Sequence, residues 1–407
     1  VTDPVAADPS PGIQSRVLVV GAGFGGLYAA RSLARHRASV TLVDKRGYQT
    51  FQPLLYQVAT GLLPRDVVEY PIHEVHGVES ITATVDHIDL VASQARFADG
   101  VSRSFDYLVL ATGASVNFFG TPGAAEHALP LYTADDALAI KAALQRAGQA
   151  DQDLHIVVIG AGPTGVEVTG AIRDVVDYVL PHTFPAMARH QVHLHLVDHA
   201  KAPLSHFSAE SQADATRVLT EAGVILHMGT TVTEVRGDGV VLEDGSHLAA
   251  EVVIWAGGLT VNAPTTSPAP ATDSAGRITI DATLRMSGHD HVYAIGDAAA
   301  TAVDPLPQLG SVAKQQGLHV AHSIRRQIRG KEPKAFTYRD LGEMAMIRHD
   351  HAVVEAGPRH HEVTGLAAFT MWLGLHAALL PDNGDRLAAV EAWAHENLTG
   401  RSQFLAD

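Results

Sequence analysis

Arg16-Val17-Leu18-Val19-Val20-Gly21-Ala22-Gly23-Phe24-Gly25-Gly26, continued through Leu27–His36 to Val40-Thr41-Leu42-Val43-Asp44, is the stretch that decides the fold of this chain. The first apolar run predicts a buried strand, the glycines a tight turn, Leu27 to His36 a helix, and Val40 to Val43 a second strand ending on an acid. Gly21 permits the turn, Gly23 lets backbone approach a pyrophosphate, and Gly26 allows close helix packing. Phe24 and Gly25 lie within the turn as candidate cofactor-binding residues, and the N-terminus of the following helix offers unpaired N–H groups to the anion. Asp44 follows the glycines by roughly 20 residues, where a carboxylate can accept hydrogen bonds from an adenosine ribose. The plainer reading, a glycine turn of any α/β domain, explains neither the flanking strands nor the acid.

The pattern recurs. Ile156 to Ile159 lead into Gly160-Ala161-Gly162-Pro163-Thr164-Gly165, a helix is expected from Val166 towards Val179, and Val192 to Val197 end on Asp198. This acid arrives later than the usual spacing of roughly 20 residues, so Tyr178 to Gln191 read as an extended helix and connector. Two such units predict an α/β fold with two Rossmann-like dinucleotide-binding domains. Asp198 would accept ribose hydroxyls and repel a 2′-phosphate, which favours NADH over NADPH, although Lys201 lies nearby.

The chain has 407 residues, enough for two or three domains, and 46% are hydrophobic. A formal net charge of -15 disfavours nucleic acid and offers no attraction to anionic lipid. The absence of cysteine excludes disulfides, thiolate metal sites and redox chemistry through a cysteine pair. Val1 to Pro11 is polar, with neither a charged start nor an apolar segment, so the expected location is cytoplasmic. Histidines number 24. His193 and His195 would share a strand face, as would His349 and His351 if extended, and His360-His361 follow a turn at Pro358. No spacing implies a third ligand, so no metal is expected.

Between the two glycine turns, strands are expected at Ile81–Val85, Ile88–Leu90 and Tyr107–Leu110, the last ending in Ala111-Thr112-Gly113. Small residues there allow close approach to a ligand, and an ordinary strand exit reads equally well. Val252 to Trp255 form a further strand, followed by Ala256-Gly257-Gly258. Residues 264–275 read as a link. Val292 to Ile295 then lead to Gly296-Asp297, whose acid could also cap the next helix.

Phe51-Gln52-Pro53-Leu54-Leu55-Tyr56-Gln57-Val58-Ala59-Thr60-Gly61 resembles the signature of type II NADH:quinone oxidoreductases, and the resemblance runs in order from Arg16 to about Phe404. Propensity alone supports one buried helical turn over Leu54–Ala59, with Pro53 blocking a cleaner start. The resemblance implies FAD on the first glycine turn, with Lys45, Gln52, Pro53, Leu54, Val85, Ala111, Thr112, Gly113, Gly296, Asp297, Lys314 and Gln315 around it. NADH would sit on the second turn, with Ala256, Gly257 and Gly258. It implies an FAD-binding domain over 12–120 and 266–330, an NADH-binding domain over 121–265 and a C-terminal region over 331–407.

The implied reaction is hydride transfer from NADH to the flavin, then two electrons to a quinone. Glu167 matches a family glutamate assigned to cofactor positioning or proton relay; as a residue it reads equally as an acid complementing a helix dipole. The helix beginning near Gly310 could aim its positive end at the flavin. Where the family has two glutamines beside the quinone, this chain has Ser311 and Gln315, so the quinone pocket is altered.

In the tail, Thr364 to Leu380 is apolar nearly all round but shorter than the ~20 residues a spanning helix needs. Arg386 to Leu398 places Leu387, Val390, Ala394 and Leu398 on one face and Glu391, His395 and Glu396 on the other. In the family these helices meet the membrane; this acidic version anchors weakly if at all, and a homodimer interface or core helix is an equal reading. A soluble flavoenzyme acting on a quinonoid metabolite, and a non-catalytic flavin- and nucleotide-binding partner protein, are the two rival functions. Disulfide reductases and sulfide:quinone oxidoreductases share the implied architecture, but their redox cysteines have no counterpart here.

Overall fold

The computed structural model describes residues 14–35, 38–150, 152–180, 184, 190–357 and 360–399, with side chains to residue 394. Val1–Pro11, His36, Pro358, Phe404, most of the connector before Gln191 and the side chains of His395, Glu396 and Leu398 lie outside the described residues. Two compact units result. One holds the described residues up to Gln49, Pro71–Ala114 and Val261–Tyr338; the other holds Thr50–Tyr70, Ser115–Thr260 and the described residues from Arg339 onward. The stretch 331–407, read from the sequence as one region, is thus divided at Tyr338.

The first unit is built on a five-stranded parallel sheet in the order Val292–Ala294, Tyr107–Leu110, Ser15–Val20, Ala38–Asp44, Glu79–Thr82. Val17 to Val20 are all buried, as an apolar run without alternation requires of a strand covered on both faces. The Phe24–Ala34 helix makes the crossover between the two central strands. It starts directly after Gly23, three residues earlier than the apolar pattern indicates, because no side chain is needed to begin it.

The expected strand Ile81–Val85 is in fact two: Glu79–Thr82 stays in the parallel sheet and Val85–Asp89 joins an antiparallel sheet with Gln94–Phe97 and Ser102–Ser104. Thr265–Ser267, inside the link, pairs in parallel with His87–Asp89. Its polar composition hid a strand held by backbone bonds.

The second unit repeats the plan. Its parallel sheet runs Leu129–Pro130, Val252–Trp255, Leu154–Ile159, Val192–Asp198, Ile225–Met228. The Pro163–Asp174 helix widens into a π turn over Val175–Val179. The C-terminal extension carries more than helices. Gly342–Arg348, His351–Ala356 and His361–Thr364 form an antiparallel sheet that precedes the Gly365–Leu379 and Asn383–Thr399 helices. His349 therefore falls in the hairpin turn and His351 in a strand, so the two do not share a face.

Among the described residues no helix is long and apolar enough to cross a membrane. In the last helix the expected stripe faces outward: Leu387 and Val390 are exposed while Ala389 and Trp393 are buried. Trp393 sets that rotation, because its indole donates to the buried Gln57 Oε1 at 2.8 Å.

Candidate functional site

In the first unit, the central strand ends at Val20 and Gly21 turns with φ 100°. A side chain on Gly21 would run into the Ala111 carbonyl, and one on Gly26 into the Gly21 carbonyl. Gly23 is different. Nothing lies within 4 Å of where its Cβ would be, so the space over the helix N-terminus is left open. No side chain caps that end. An uncapped N-terminus beneath an open glycine suits a pyrophosphate.

Asp44 accepts from the Ala22 N–H (2.7 Å) and the Arg46 N–H (2.8 Å), one bond to each oxygen. The carboxylate thereby braces the turn and keeps lone pairs for a ribose. Lys45 points into solvent. Arg46, which the sequence did not single out, has a buried Nε without a partner among the described residues. Its guanidinium lies 5.9 Å from the Tyr48 ring centre.

Ala111-Thr112-Gly113 is locked by a residue that belongs to no motif. Asn262 accepts from the Thr112 hydroxyl, donates its N–H to the Gly113 carbonyl at 3.0 Å and gives its amide to the Ala114 carbonyl at 2.6 Å. Val85 opens its strand, paired with Phe97.

Gly296 (φ 67°) donates to the buried Gln316 Oε1 at 2.7 Å, so Gln316 fixes the next residue, Asp297. Burial pushes the Asp297 carboxyl up to about 6, and among the described residues it has no hydrogen-bond partner. A half-buried acid without a donor fits a ligand hydroxyl.

The Gly310–Ile328 helix crosses the Phe24–Ala34 helix where Gly317 meets the Gly25 carbonyl, an approach that any side chain would block. Along it, Lys314 Nζ stands 4.5 Å from the Tyr28 ring centre, Gln315 is partly buried, and Ser311 Oγ lies 3.2 Å from the Tyr338 hydroxyl. Ser311 is thus tied to Tyr338, a pairing between residues far apart in the chain that no local pattern marks.

The second unit reproduces the cradle. Gly160 turns with φ 102° against Ala256 and Gly257, Gly165 abuts the Gly160 carbonyl, and Gly162 again faces open space. Pro163 takes the first helical position, where its missing N–H costs nothing, and Thr164 is exposed. Asp198 repeats Asp44, accepting from the Ala161 N–H at 2.5 Å and the Ala200 N–H at 2.7 Å. Gly258 accepts from the Asn117 N–H at 3.1 Å and, with φ 81°, leaves room for the Phe119 ring.

In the same unit, Gln52-Pro53-Leu54 forms a 3-10 turn leading into the buried helix Leu55–Ala59. Gln52 Oε1 is buried with no partner among the described residues. Glu167 sits in the second turn of its helix, past the reach of a first-turn dipole role, because Pro163 starts the helix directly after Gly162. Loss of solvation pushes its carboxyl up to about 8; the Met346 N–H, at 3.3 Å, and the Trp372 indole pull the other way. His376, which the sequence marks only as an interruption, stacks on Trp372 at 3.9 Å and is held near 4 by burial.

Several other histidines satisfy one another or nearby acids. His193 stacks on His155 at 4.5 Å, His195 Nδ1 lies 3.0 Å from His227 Nε2, and His351 bonds Asp214 at 2.6 Å. Among the described residues no group of three could hold a metal ion.

Residues 15–317 match the family model described as pyridine nucleotide-disulphide oxidoreductase. The type II NADH:quinone oxidoreductase Ndh of Mycobacterium tuberculosis is 30% identical over 98% of this chain and 91% of its own length. The internal alternative NAD(P)H-ubiquinone oxidoreductase A1 of Solanum tuberosum mitochondria is 27% identical over 95% and 87%. In fold, the chain is similar to NDH2 of Plasmodium falciparum solved with NADH, with a TM-score of 0.87, 17% identity and coverage of 96% of this chain and 100% of that one.

Proposed function

We propose, from the premise that this chain belongs to the type II NADH:quinone oxidoreductases within the pyridine nucleotide-disulphide oxidoreductase family, that it oxidises NADH and reduces a quinone by way of bound FAD. The observation that carries this reading is the doubled cradle: two glycine turns, each with an open second glycine and an acid bracing the turn, in one chain.

FAD, when bound, supplies the two-electron carrier between a hydride donor and the acceptor. The chain's residues supply orientation, charge and proton control. Gly21, Gly23 and the uncapped helix end would receive the FAD pyrophosphate, Asp44 the ribose and Asp297 a hydroxyl, making the first unit FAD-binding. Gly160, Gly162 and Asp198 would hold NADH; a carboxylate at the ribose disfavours the 2′-phosphate of NADPH. Glu167 keeps a proton on its carboxyl at neutral pH. Ser311 and Gln315 would border the acceptor, and Tyr338 fixes the Ser311 hydroxyl.

The Gly365–Leu379 helix exposes Leu366, Met371 and Leu375, which supports peripheral docking on a membrane face or on a second copy. Ser311 in place of a glutamine supports a second reading, a small soluble quinonoid acceptor. Steady-state NADH oxidation with short-chain quinones, with and without liposomes, tests both. Fast turnover that liposomes accelerate supports the respiratory type, liposome-independent turnover the soluble one, and no quinone-dependent rate contradicts the proposal.

A further inference from the structure

A cavity of about 220 Å³ opens within the second unit along one face of the helix that carries Glu167. Ala171, Asp174, Val175 and Tyr178 line it, and Ala171 stands one helical turn beyond Glu167 on the same side. The helix widens into its π turn over this stretch, a departure from α geometry that concentrates at functional places. The opposite wall comes from Tyr56, Gln57, Thr60 and Trp393, and Met346 joins the two. The Met346 N–H holds Glu167 Oε1 at 3.3 Å, while its sulfur accepts from the Tyr56 hydroxyl at 3.1 Å.

The outer end is polar. Asp174, itself buried, accepts from the Arg348 guanidinium at 2.8 Å and from the His349 N–H at 2.8 Å, and its carboxylate lies 3.2 Å from His349 Nδ1. His349 is part exposed, and the Tyr178 ring stands edge-on to it at 5.1 Å. The Thr60 hydroxyl donates to the Tyr56 carbonyl and keeps its lone pairs for a further donor. These groups give water the two to four polar partners it needs to stay ordered in a largely apolar space.

Reduction of a quinone by NADH has a fixed proton balance: NADH, one proton and quinone give NAD+ and quinol. The hydride brings two electrons and one proton, so the second proton of each quinol comes from solvent. We propose that this cavity is the hydrated inlet for that proton, which enters at His349 and Asp174 and passes by water past Tyr178 and Thr60 to Glu167. The inference rests on the quinone reductase reading and adds its proton source.

The test uses the full-length, flavin-loaded protein. Hydrogen–deuterium exchange at the Glu167 carboxyl is followed by infrared spectroscopy without substrate, with Glu167→Gln identifying the band. Ala171→Leu, which fills the cavity, and His349→Ala should each slow that exchange roughly tenfold or more, and added imidazole should restore it in His349→Ala. Ala171→Leu should also slow quinone reduction while leaving the NADH-driven rate with ferricyanide, which takes electrons without protons, within about twofold. Unchanged exchange in Ala171→Leu, or slowed exchange in His349→Ala that imidazole does not rescue, overturns the inlet. A wild-type protein that reduces ferricyanide but no quinone defeats the quinone reading instead, and the infrared exchange still decides the inlet.

Discussion

The Gly21–Gly26 and Gly160–Gly165 turns share a design and differ in what their helices lean on. In both, the first glycine turns with φ near 100°, the second faces open space, the last abuts the first one's carbonyl, and a distant aspartate bonds the intervening alanine N–H. Beyond the turn they diverge. The first helix packs at Gly25 on another helix, through Gly317; the second packs at Gly170 on a strand, where a side chain would strike the Ile347 carbonyl. The second helix also carries Glu167 and ends in the π turn, with Asp174 anchoring Arg348. The lesson is that the glycine turn is a reusable construction, while the buried acid and the π turn belong to one copy alone.

The largest effect should come from the closing glycines. Gly26→Ala and Gly165→Ala each force a methyl into a backbone carbonyl, at a cost of about 3 kcal/mol. Both should lower the thermal midpoint, but Gly26→Ala should also purify with little flavin, whereas Gly165→Ala should keep flavin that NADH no longer bleaches. Equal losses of flavin in both would erase the assigned difference.

Next come the open glycines. A methyl on Gly23 or Gly162 meets no protein atom, so the melting temperature of apoprotein should hardly move. FAD affinity should fall roughly 10- to 100-fold in Gly23→Ala, and NADH affinity by a similar factor in Gly162→Ala. Titration of each ligand by fluorescence separates the two. Smaller again, Asp198→Ser should raise the ratio of NADPH to NADH efficiency about tenfold, with Asp44→Ser leaving that ratio alone.

The smallest signal is a slope. The Glu167 carboxyl is raised from 4.5 to about 8, so between those values the folded state binds more protons than the unfolded one. Its stabilising contribution is full below about 4.5 and is lost as pH rises through about 8. Glu167→Gln should flatten the decline in apoprotein stability over that window, read from denaturant midpoints at successive pH values. The first helix carries Tyr28, not an acid, at the equivalent position, so the comparison assigns this slope to the second turn.

Much of this was legible from the sequence where local chemistry and tertiary need coincide. Val17–Val20 and Ile156–Ile159 are buried strands because apolar runs followed by glycine have few other uses, and the turn glycines follow from their positions. What escaped was determined by partners far along the chain. Asn262 matters because it closes on Thr112 and Gly113, Gln316 because it holds Gly296, and Tyr338 because it holds Ser311. The Gly342–Thr364 sheet was hidden because its turn, His349-Asp350, lacks glycine and is stabilised instead by the bonds of His349 to Asp174. Leu387 and Val390 are legible as one apolar face but not as to what that face meets; the bond from Trp393 to Gln57 ties down the other side of the helix and leaves them exposed.

Anaerobic titration of the purified protein with NADH, followed by flavin absorbance and then by addition of a quinone, addresses the doubled cradle most directly. The account requires one flavin per chain, bleached by one equivalent of NADH and restored by the quinone. A colourless protein that takes up no FAD, or a flavin that NADH leaves oxidised, would contradict it.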